Sequence, residues 1–278
     1  MIRCNAPAKI NLGIRVLRKR PDGYHDIETV FYRIGIFDEI TLEEANTIEF
    51  SCDSPGVPSD ETNLCVRAAR LVQERFAIGG GARITLQKMI PIGAGLGGGS
   101  SDAASTLLGL VKLWGISATR KDLHTLAVKL GADVPYFLNE GAAQGTGRGE
   151  VLEYFDLKMP YSIVVVYPRV HISTAWAYAN VKPSEGPYPH SLKQIVTENL
   201  SDPRILMNLL RNDFEPVVLR NYPIVAEVKR ELHLAGAVFT QLSGSGSAVF
   251  GLFTDNREAE TCAANLRGKF DTFSIPRT

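Results

Sequence analysis

A glycine-rich loop runs directly into a predicted helix in the first half of the chain. Residues 91–102 read Pro-Ile-Gly-Ala-Gly-Leu-Gly-Gly-Gly-Ser-Ser-Asp, and apolar residues follow at helical spacing as far as Trp114. Backbone amides without side chains, placed at the positive end of a helix dipole, bind phosphate groups. A flexible linker or a closely packed turn is the alternative interpretation. Because the glycines adjoin a helix that begins Ser-Ser-Asp, the loop predicts a nucleotide phosphate site.

The loop does not fit two common nucleotide motifs. A Walker A loop ends in Gly-Lys-Ser/Thr, and no lysine follows Gly99. A dinucleotide-binding fold needs a second strand with an acidic residue about 20 residues further on, whereas residues 119–130 are predicted to be helical. The sequence therefore indicates a mononucleotide that is held by amides, with the catalytic charges supplied from elsewhere in the chain.

Two other segments carry side chains suited to catalysis. On a predicted strand over residues 8–17, Lys9, Asn11 and Gly13 share one face, which either lines a site or is simply solvated. Asp133 lies between a helix end and Pro135, which is expected to hold Val134 in an extended conformation. A carboxylate on such a stiff loop suits a general base for an alcohol, although an Asx turn that bonds its own backbone is the alternative.

Two further loops are candidates for ligand contacts. Residues 242–247, Leu-Ser-Gly-Ser-Gly-Ser, either form a plain hairpin loop or add backbone amides around phosphates. Tyr24 and His25 follow a basic turn. An exposed pair of this kind can stack on a base and bond its edge, or belong to an ordinary polar hairpin.

Composition limits the class of protein. The chain has 278 residues with 30 basic and 30 acidic side chains, so its net charge gives no reason to expect a nucleic acid or an anionic membrane as partner. The four cysteines are scattered without metal-ligand spacing, which predicts neither a zinc site nor a disulfide scaffold. No apolar run is long enough for a membrane span, and no signal segment is evident. A cytoplasmic location is expected.

Periodicity predicts mixed strands and helices throughout, which is typical of the α+β class. Among the predicted strands are 27–36 and a separate short one at 40–42, and a helix is predicted over 63–76. A division of the chain is expected near residues 156–160. It gives an N-terminal domain over 1–156 and a C-terminal domain over 157–278.

Several motifs together resemble the GHMP kinase superfamily. Pro-Ala-Lys-Ile-Asn-Leu (7–12), the glycine-rich loop (91–101) and Leu-Ser-Gly-Ser-Gly-Ser (242–247) occur in the family's order. Arg-Pro-Asp-Gly-Tyr-His (20–25) and Gly-Ala-Asp-Val-Pro-Tyr-Phe (131–137) resemble members that act on a cytidine compound. The resemblance implies an N-terminal domain of the ribosomal-protein-S5 type, a ferredoxin-like C-terminal domain and an active site in the cleft between them.

The resemblance also implies roles for single residues. Asp133 matches the catalytic base and Lys9 its cationic partner, while Asn63 and Lys88 fall where the family contacts adenosine. Substrate contacts are implied for Asn11, Tyr24, His25 and Tyr178. The residues implied to hold the ATP phosphates are Pro91, Ile92, Gly93, Ala94, Gly95, Leu96, Gly97, Gly98, Gly99, Ser100 and Ser101. Mg²⁺ is implied as a second cofactor, and its ligands stay open.

The implied activity is ATP-dependent phosphorylation of one alcohol group on a small molecule that carries cytidine diphosphate. A kinase of the same superfamily whose substrate lacks a nucleobase is one alternative, and it would have no use for Tyr24 and His25. An inactive relative that only binds a ligand is another alternative. Such a protein could have lost Lys9 or Asp133, whereas both residues are present in this sequence. The oligomeric state is not predicted.

Overall fold

The computed structural model describes residues 1–184 and 186–277. Strands and helices alternate along these residues, which confirms the predicted α+β class. The strands are β1 (Ile2–Lys19), β2 (His25–Ala45), β3 (Glu49–Cys52), β4 (Gly81–Gln87), β5 (Ala142–Thr146), β6 (Val151–Phe155), β7 (Ser162–Tyr167), β8 (Phe239–Leu242), β9 (Val249–Phe253) and β10 (Asp271–Ile275). The helices are α1 (Leu64–Phe76), α2 (Gly98–Leu113), α3 (Arg120–Leu130), α4 (Thr174–Asn180), α5 (Leu192–Asn199), α6 (Pro203–Leu209), α7 (Glu215–Asn221), α8 (Pro223–Leu234) and α9 (Asn256–Arg267), with a 3-10 helix at Val134–Leu138.

The chain forms two compact units, and each is assembled from separated segments. The first unit contains Met1–Ala8, Gly35–Ile92 and Gly97–Glu140. The second contains Lys9–Ile34, Gly93–Leu96 and the chain from Gly141 onward. The sequence-based division between residues 156 and 157 stays a prediction. Within the described residues, no helix is both long and apolar enough to cross a bilayer.

In the first unit, helices pack on a small sheet. β4 pairs in parallel with β3 and antiparallel with the C-terminal half of β2, where Leu42 lies opposite Ile84. Helices α1 and α2 pack on each other. α1 buries one face, whereas α2 is buried all round from Ser101 to Leu107. A Cβ atom on Gly109 would come within 2.4 Å of Leu42, so this glycine lets α2 lie close against the sheet.

In the second unit, β5 pairs with the N-terminal half of β2 and with β6. A separate antiparallel sheet has the order β10-β7-β9-β8, and α8 and α9 pack against it. With α4–α7 inserted between β7 and α8, the elements β7, α8, β8, β9, α9 and β10 give the βαββαβ pattern of a ferredoxin-like fold. This confirms the C-terminal prediction. Val164, Leu232 and Phe253 lie in the core of this unit.

Two local predictions were wrong. Residues 40–42 are not a separate strand, because β2 continues unbroken from His25 to Ala45. The alternation of buried residues runs through Ile36, Asp38 and Ile40, and the aspartate at a core position interrupted the apolar pattern. Val134 is not extended either, since it begins the 3-10 helix. Proline is tolerated in a first helical turn, where no amide donor is needed.

Candidate active site

The glycine-rich loop connects β4 to α2, and α2 begins inside the motif as predicted. Gly93, Gly95 and Gly97 have φ angles of 66°, 83° and 72°, a region that residues with a Cβ rarely adopt. Gly97 is the N-cap of α2 and supplies no side-chain bond to it. The first amides of a helix have no partner within it. Those of α2 are therefore left to a ligand or to solvent, and an anion is the ligand that suits them.

Ser101 stands one turn into α2 and is completely buried. Its amide donates to the carbonyl of Gly97 at 2.9 Å, but its hydroxyl oxygen has no hydrogen-bond partner among the described residues. Leaving a buried hydroxyl unsatisfied costs about 1–3 kcal/mol. Such groups call for an explanation, and a ligand at the start of the helix provides one.

Lys88, one of the predicted adenosine contacts, lies in a buried ionic cluster of the first unit. Its ammonium donates to Asp38 Oδ2 at 2.5 Å and to Asp102 Oδ2 at 2.9 Å. The three side chains are 7%, 0% and 4% exposed in that order. Burial raises the pKa of Asp102 to about 7, although Lys88 acts to lower it. The adenosine contact of Lys88 stays a prediction. The sequence analysis did not single out Asp38 and Asp102. A charged residue at a position where the pattern is otherwise apolar was the signal that could have identified them.

Lys9 and Asn11 lie side by side on β1, and both are buried, at 3% and 2% exposure. The Lys9 ammonium donates to Asn11 Oδ1 at 2.5 Å and to the carbonyl of Gly95 at 3.0 Å. Asn11 Nδ2 in turn donates to Thr29 Oγ1 at 2.9 Å. The solvated-face interpretation of this strand is therefore wrong. The network orients a buried cation beside the glycine-rich loop.

The 242–247 loop is more than a plain hairpin turn. Ser243 Oγ donates to the carbonyl of Gly95 at 3.0 Å, and the amide of Ala248 donates to the carbonyl of Ala94 at 3.0 Å. A Cβ atom on Gly95 would lie 2.1 Å from the Ser243 carbonyl oxygen. The two glycine-containing loops thus meet backbone to backbone, and only glycine fits at position 95.

Asp133 and Asn63 both lie in the first unit. Asp133 directly precedes the 3-10 helix but makes no side-chain capping bond to it. Asn63 is the N-cap of α1: its Oδ1 accepts from the amide of Cys65 at 2.7 Å, and its Nδ2 donates to the carbonyl of Pro58 at 2.7 Å. The geometry gives Asn63 a structural role, and its contact with adenosine stays a prediction.

The aromatic residues of the expected cytidine site lie in the second unit, where they make one stacked pair and one cation–π contact. The His25 ring stacks on Tyr178 with centroids 5.3 Å apart and planes 20° apart. Tyr24 is 57% exposed, and the guanidinium of Arg148 lies 4.7 Å from its ring centroid. Burial lowers the pKa of His25, and Lys19 adds to this effect. The lowered pKa favours a neutral imidazole, and the Tyr24 ring is open to solvent. The contact of these residues with cytidine stays a prediction. The sequence analysis did not single out Arg148.

No group of three or more His, Cys, Asp or Glu side chains in the described part of the chain could hold a metal ion. The four cysteines are all free thiols. At nucleotides, Mg²⁺ is commonly held by phosphate oxygens, water and one or two protein oxygens. The unpartnered Ser101 hydroxyl is an oxygen of the type that Mg²⁺ accepts.

Two family models and several curated proteins match this chain. The family model for the N-terminal domain of GHMP kinases matches residues 63–141, and the model for the C-terminal domain matches residues 191–272. A protein from Prosthecochloris aestuarii named 4-diphosphocytidyl-2-C-methyl-D-erythritol kinase is 47% identical over 97% of this chain and 95% of its own length. A relative of the same name from Chloroherpeton thalassium is 45% identical over 99% of this chain and 97% of its own length.

Solved structures of kinases have the same fold as this chain. A crystal structure of 4-(cytidine 5'-diphospho)-2C-methyl-D-erythritol kinase, 36% identical, superposes with a TM-score of 0.84 over 99% of this chain and 98% of its own. A homoserine kinase from Cytophaga hutchinsonii, 20% identical, shares the fold with a TM-score of 0.75 over 100% of this chain and 95% of its own. The chain belongs to the GHMP kinases, a family of ATP-dependent phosphotransferases, and has their two-domain fold.

Proposed function

We propose that this chain transfers the γ-phosphate of ATP to the 2-hydroxyl of 4-diphosphocytidyl-2-C-methyl-D-erythritol, a step in isoprenoid precursor biosynthesis outside the mevalonate route. The observation that carries the proposal is a combination. Relatives named for this substrate are similar over nearly the whole chain, and the chain has aromatic residues suited to a nucleobase at Tyr24, His25 and Tyr178.

The glycine-rich loop is the proposed site of the ATP phosphates. The amides at the start of α2 would donate to phosphate oxygens, and the helix dipole favours the negative charge. When bound, Mg²⁺ would neutralise phosphate charge, with the Ser101 hydroxyl as a protein oxygen near the helix start. Pro91 and Ile92 lead the chain into this loop.

Asp133 is the proposed general base. Its carboxylate would accept the proton of the substrate hydroxyl as that oxygen forms a bond to the γ-phosphorus. The bond between the γ-phosphorus and the bridging oxygen breaks, and ADP leaves with the electron pair. Because phosphoryl transfer has a loose transition state, positioning and charge stabilisation would supply most of the rate enhancement.

Lys9 is the proposed source of positive charge for the transferred group. Its ammonium is held by the Asn11 amide and the Gly95 carbonyl, so its direction is fixed before a ligand arrives. A preoriented charge needs no reorganisation during the reaction, and for this reason such groups are effective. Asn11 would contribute by holding Lys9 and by contacting the substrate.

Cytosine recognition is proposed for Tyr24, His25 and Tyr178. An aromatic ring gives stacking energy with any base, so selection of cytosine would fall to hydrogen bonds from His25. Burial lowers the pKa of His25, which favours the neutral imidazole, and a neutral imidazole has one ring nitrogen as donor and the other as acceptor.

A turnover panel tests the proposal. ATP consumption would be measured with diphosphocytidyl methylerythritol, methylerythritol phosphate, mevalonate and homoserine as acceptors. We expect turnover with the first compound only. Turnover with mevalonate or homoserine instead would assign the chain to another kinase of the family. No turnover with any acceptor, together with intact ATP binding, would favour an inactive relative.

A further inference from the structure

The buried ionic cluster of Asp38, Lys88 and Asp102 connects the two ends of the glycine-rich loop. Asp38 Oδ1 accepts from the amides of Met89 and Ile90 at 2.6 Å and 2.8 Å, immediately before the loop begins. Asp102 lies in α2, immediately after the loop ends. Lys88 joins the two carboxylates. The cluster thus fixes both ends of the loop to one point.

The start of α2 also packs directly on the same segment. A Cβ atom on Gly98, the first residue of the helix, would lie 3.0 Å from Ile90 Cγ2 and 3.2 Å from the Lys88 ammonium nitrogen. Glycine at this position therefore allows the helix to approach the lysine. The start of α2 is held by a close packing contact at Gly98 and by an ionic hydrogen bond at Asp102, the fifth residue of the helix.

Burying an ammonium and two carboxylates is costly, and apolar residues of similar volume often give equal or greater stability. Unlike apolar packing, the ionic hydrogen bonds have direction and therefore hold two elements in one register. Directional bonds add little to the packing of a core, but they matter where the amides of a helix must point at a ligand. Misplacing a bound group by about 1 Å can cost ~100-fold in rate.

We infer that Asp38, Lys88 and Asp102 are positioning residues, which fix the first turn of α2 and with it the direction of the amides that hold the ATP phosphates. This inference rests on the proposed function, which assigns the phosphates to that loop. The inferred role of the Lys88 side chain, to position α2, differs from the adenosine contact that the resemblance implies. Its ammonium donates hydrogen bonds to the two carboxylates.

The test compares Asp102→Ala with Asp102→Asn and uses Ser105→Ala as a control. Alanine removes the acceptor for Lys88 but leaves the Lys88–Asp38 pair, whereas asparagine keeps an oxygen that can accept. Ser105 is also buried in α2, three residues after Asp102. Calorimetric titration with a non-hydrolysable ATP analogue would be combined with kcat, KM for ATP and a melting curve. We expect Asp102→Ala to weaken analogue binding ~10-fold or more. Asp102→Asn should stay within a few-fold of the native chain, and Ser105→Ala should not change.

Native affinity in a folded Asp102→Ala variant would overturn the inference. So would an asparagine variant as weak as the alanine variant, since the restored acceptor would then have no effect. If Asp102→Ala does not fold, Asp38→Asn replaces it. That variant keeps the oxygen for the two amides and places an NH2 group, which cannot accept a hydrogen bond, against Lys88. Native affinity of this variant would count against the inference. A native chain that binds the analogue without phosphorylating the cytidine substrate contradicts only the proposed substrate, whereas absence of analogue binding overturns both.

Discussion

The ammonium of Lys9 donates a 2.5 Å hydrogen bond to the side-chain oxygen of Asn11, two residues further along the same strand. Successive side chains of a strand alternate between faces, so residues i and i+2 lie on one face and can meet in this way. The Lys9 ammonium also lies 5.6 Å from the ring centroid of Phe31. A lysine held by these contacts loses little conformational entropy when a phosphate arrives, because its rotamer is already selected.

Lys9→Met should lower kcat by about 10²–10³ while leaving the fold intact, because it removes one preoriented charge from the transferred phosphate. Lys9→Arg should also be impaired, since the planar guanidinium cannot take the place of a compact ammonium between Asn11 and Gly95. Steady-state kinetics with saturating substrates would measure both. Native activity of the methionine variant would show that Lys9 serves the structure only.

Asp133→Asn should reduce kcat by about 10²–10⁴, the usual contribution of a positioned general base, with little change in ATP affinity. Asparagine keeps the shape of the side chain but cannot accept the proton. The comparison requires kcat from turnover and the dissociation constant of an ATP analogue on the same preparation. A variant that turns over within a few-fold of the native rate would exclude Asp133 as the base.

Gly95→Ala should destabilise the fold, whereas Gly99→Ala should not. Position 95 has a positive φ and its Cβ would overlap the Ser243 carbonyl, while the nearest atom to a Cβ at position 99 is 3.8 Å away. The backbone conformation alone should cost Gly95→Ala about 1–2 kcal/mol in the free energy of unfolding. Urea denaturation of the two variants measures this difference. If Gly99→Ala nevertheless weakens ATP binding, the phosphates lie against that residue. Equal stability of the two variants would contradict the observed packing of the loops.

Tyr24→Ala should weaken binding of the cytidine substrate about 5–150-fold, the equivalent of one base stacking contact of about 1–3 kcal/mol. The affinity for ATP should hardly change. A uridine analogue should bind the native chain less well than the cytidine compound, and this preference should shrink in His25→Ala. Isothermal titration with the cytidine compound and the uridine analogue would measure this preference. If the two analogues bind alike, the assignment of a cytidine site is wrong.

His25 should make the fold less stable in mild acid. Burial lowers its pKa below the usual 6.5, so the unfolded chain takes up this proton at a higher pH than the folded chain does. Stability that is present above pH 6.5 is therefore lost as the pH falls towards the pKa of the folded state. Melting temperatures of the native chain and of His25→Gln would be compared between pH 7.5 and 5, where only the native chain loses this contribution. If the glutamine variant is the less stable one at pH 7.5, the two melting temperatures should approach each other. If it is the more stable one, they should separate further. Parallel curves would show that burial does not perturb this imidazole.

The sequence predicted the parts of this protein that depend on local chemistry. The helix after the glycine-rich loop followed from apolar spacing after Ala103, and the shared face of Lys9 and Asn11 followed from strand alternation. Asp38 and Lys88 show why the rest could not be predicted. The charge of Asp38 at an apolar position does not identify its partner, and only the folded chain brings it to Lys88, 50 residues further on. For the same reason, nothing in residues 242–247 revealed that Ser243 would meet Gly95, since the two are 148 residues apart.

The carbonyl oxygen of Gly95 accepts from both the Lys9 ammonium and the Ser243 hydroxyl. Donors from two separate stretches of sequence thus meet at one main-chain atom of a third stretch. No codon change at position 95 can delete that acceptor, and a larger side chain there is excluded sterically. Natural variation can therefore alter the donors, but the point on which they converge is protected. Lineages that diverge in substrate would be expected to keep this junction and to change the surfaces around it.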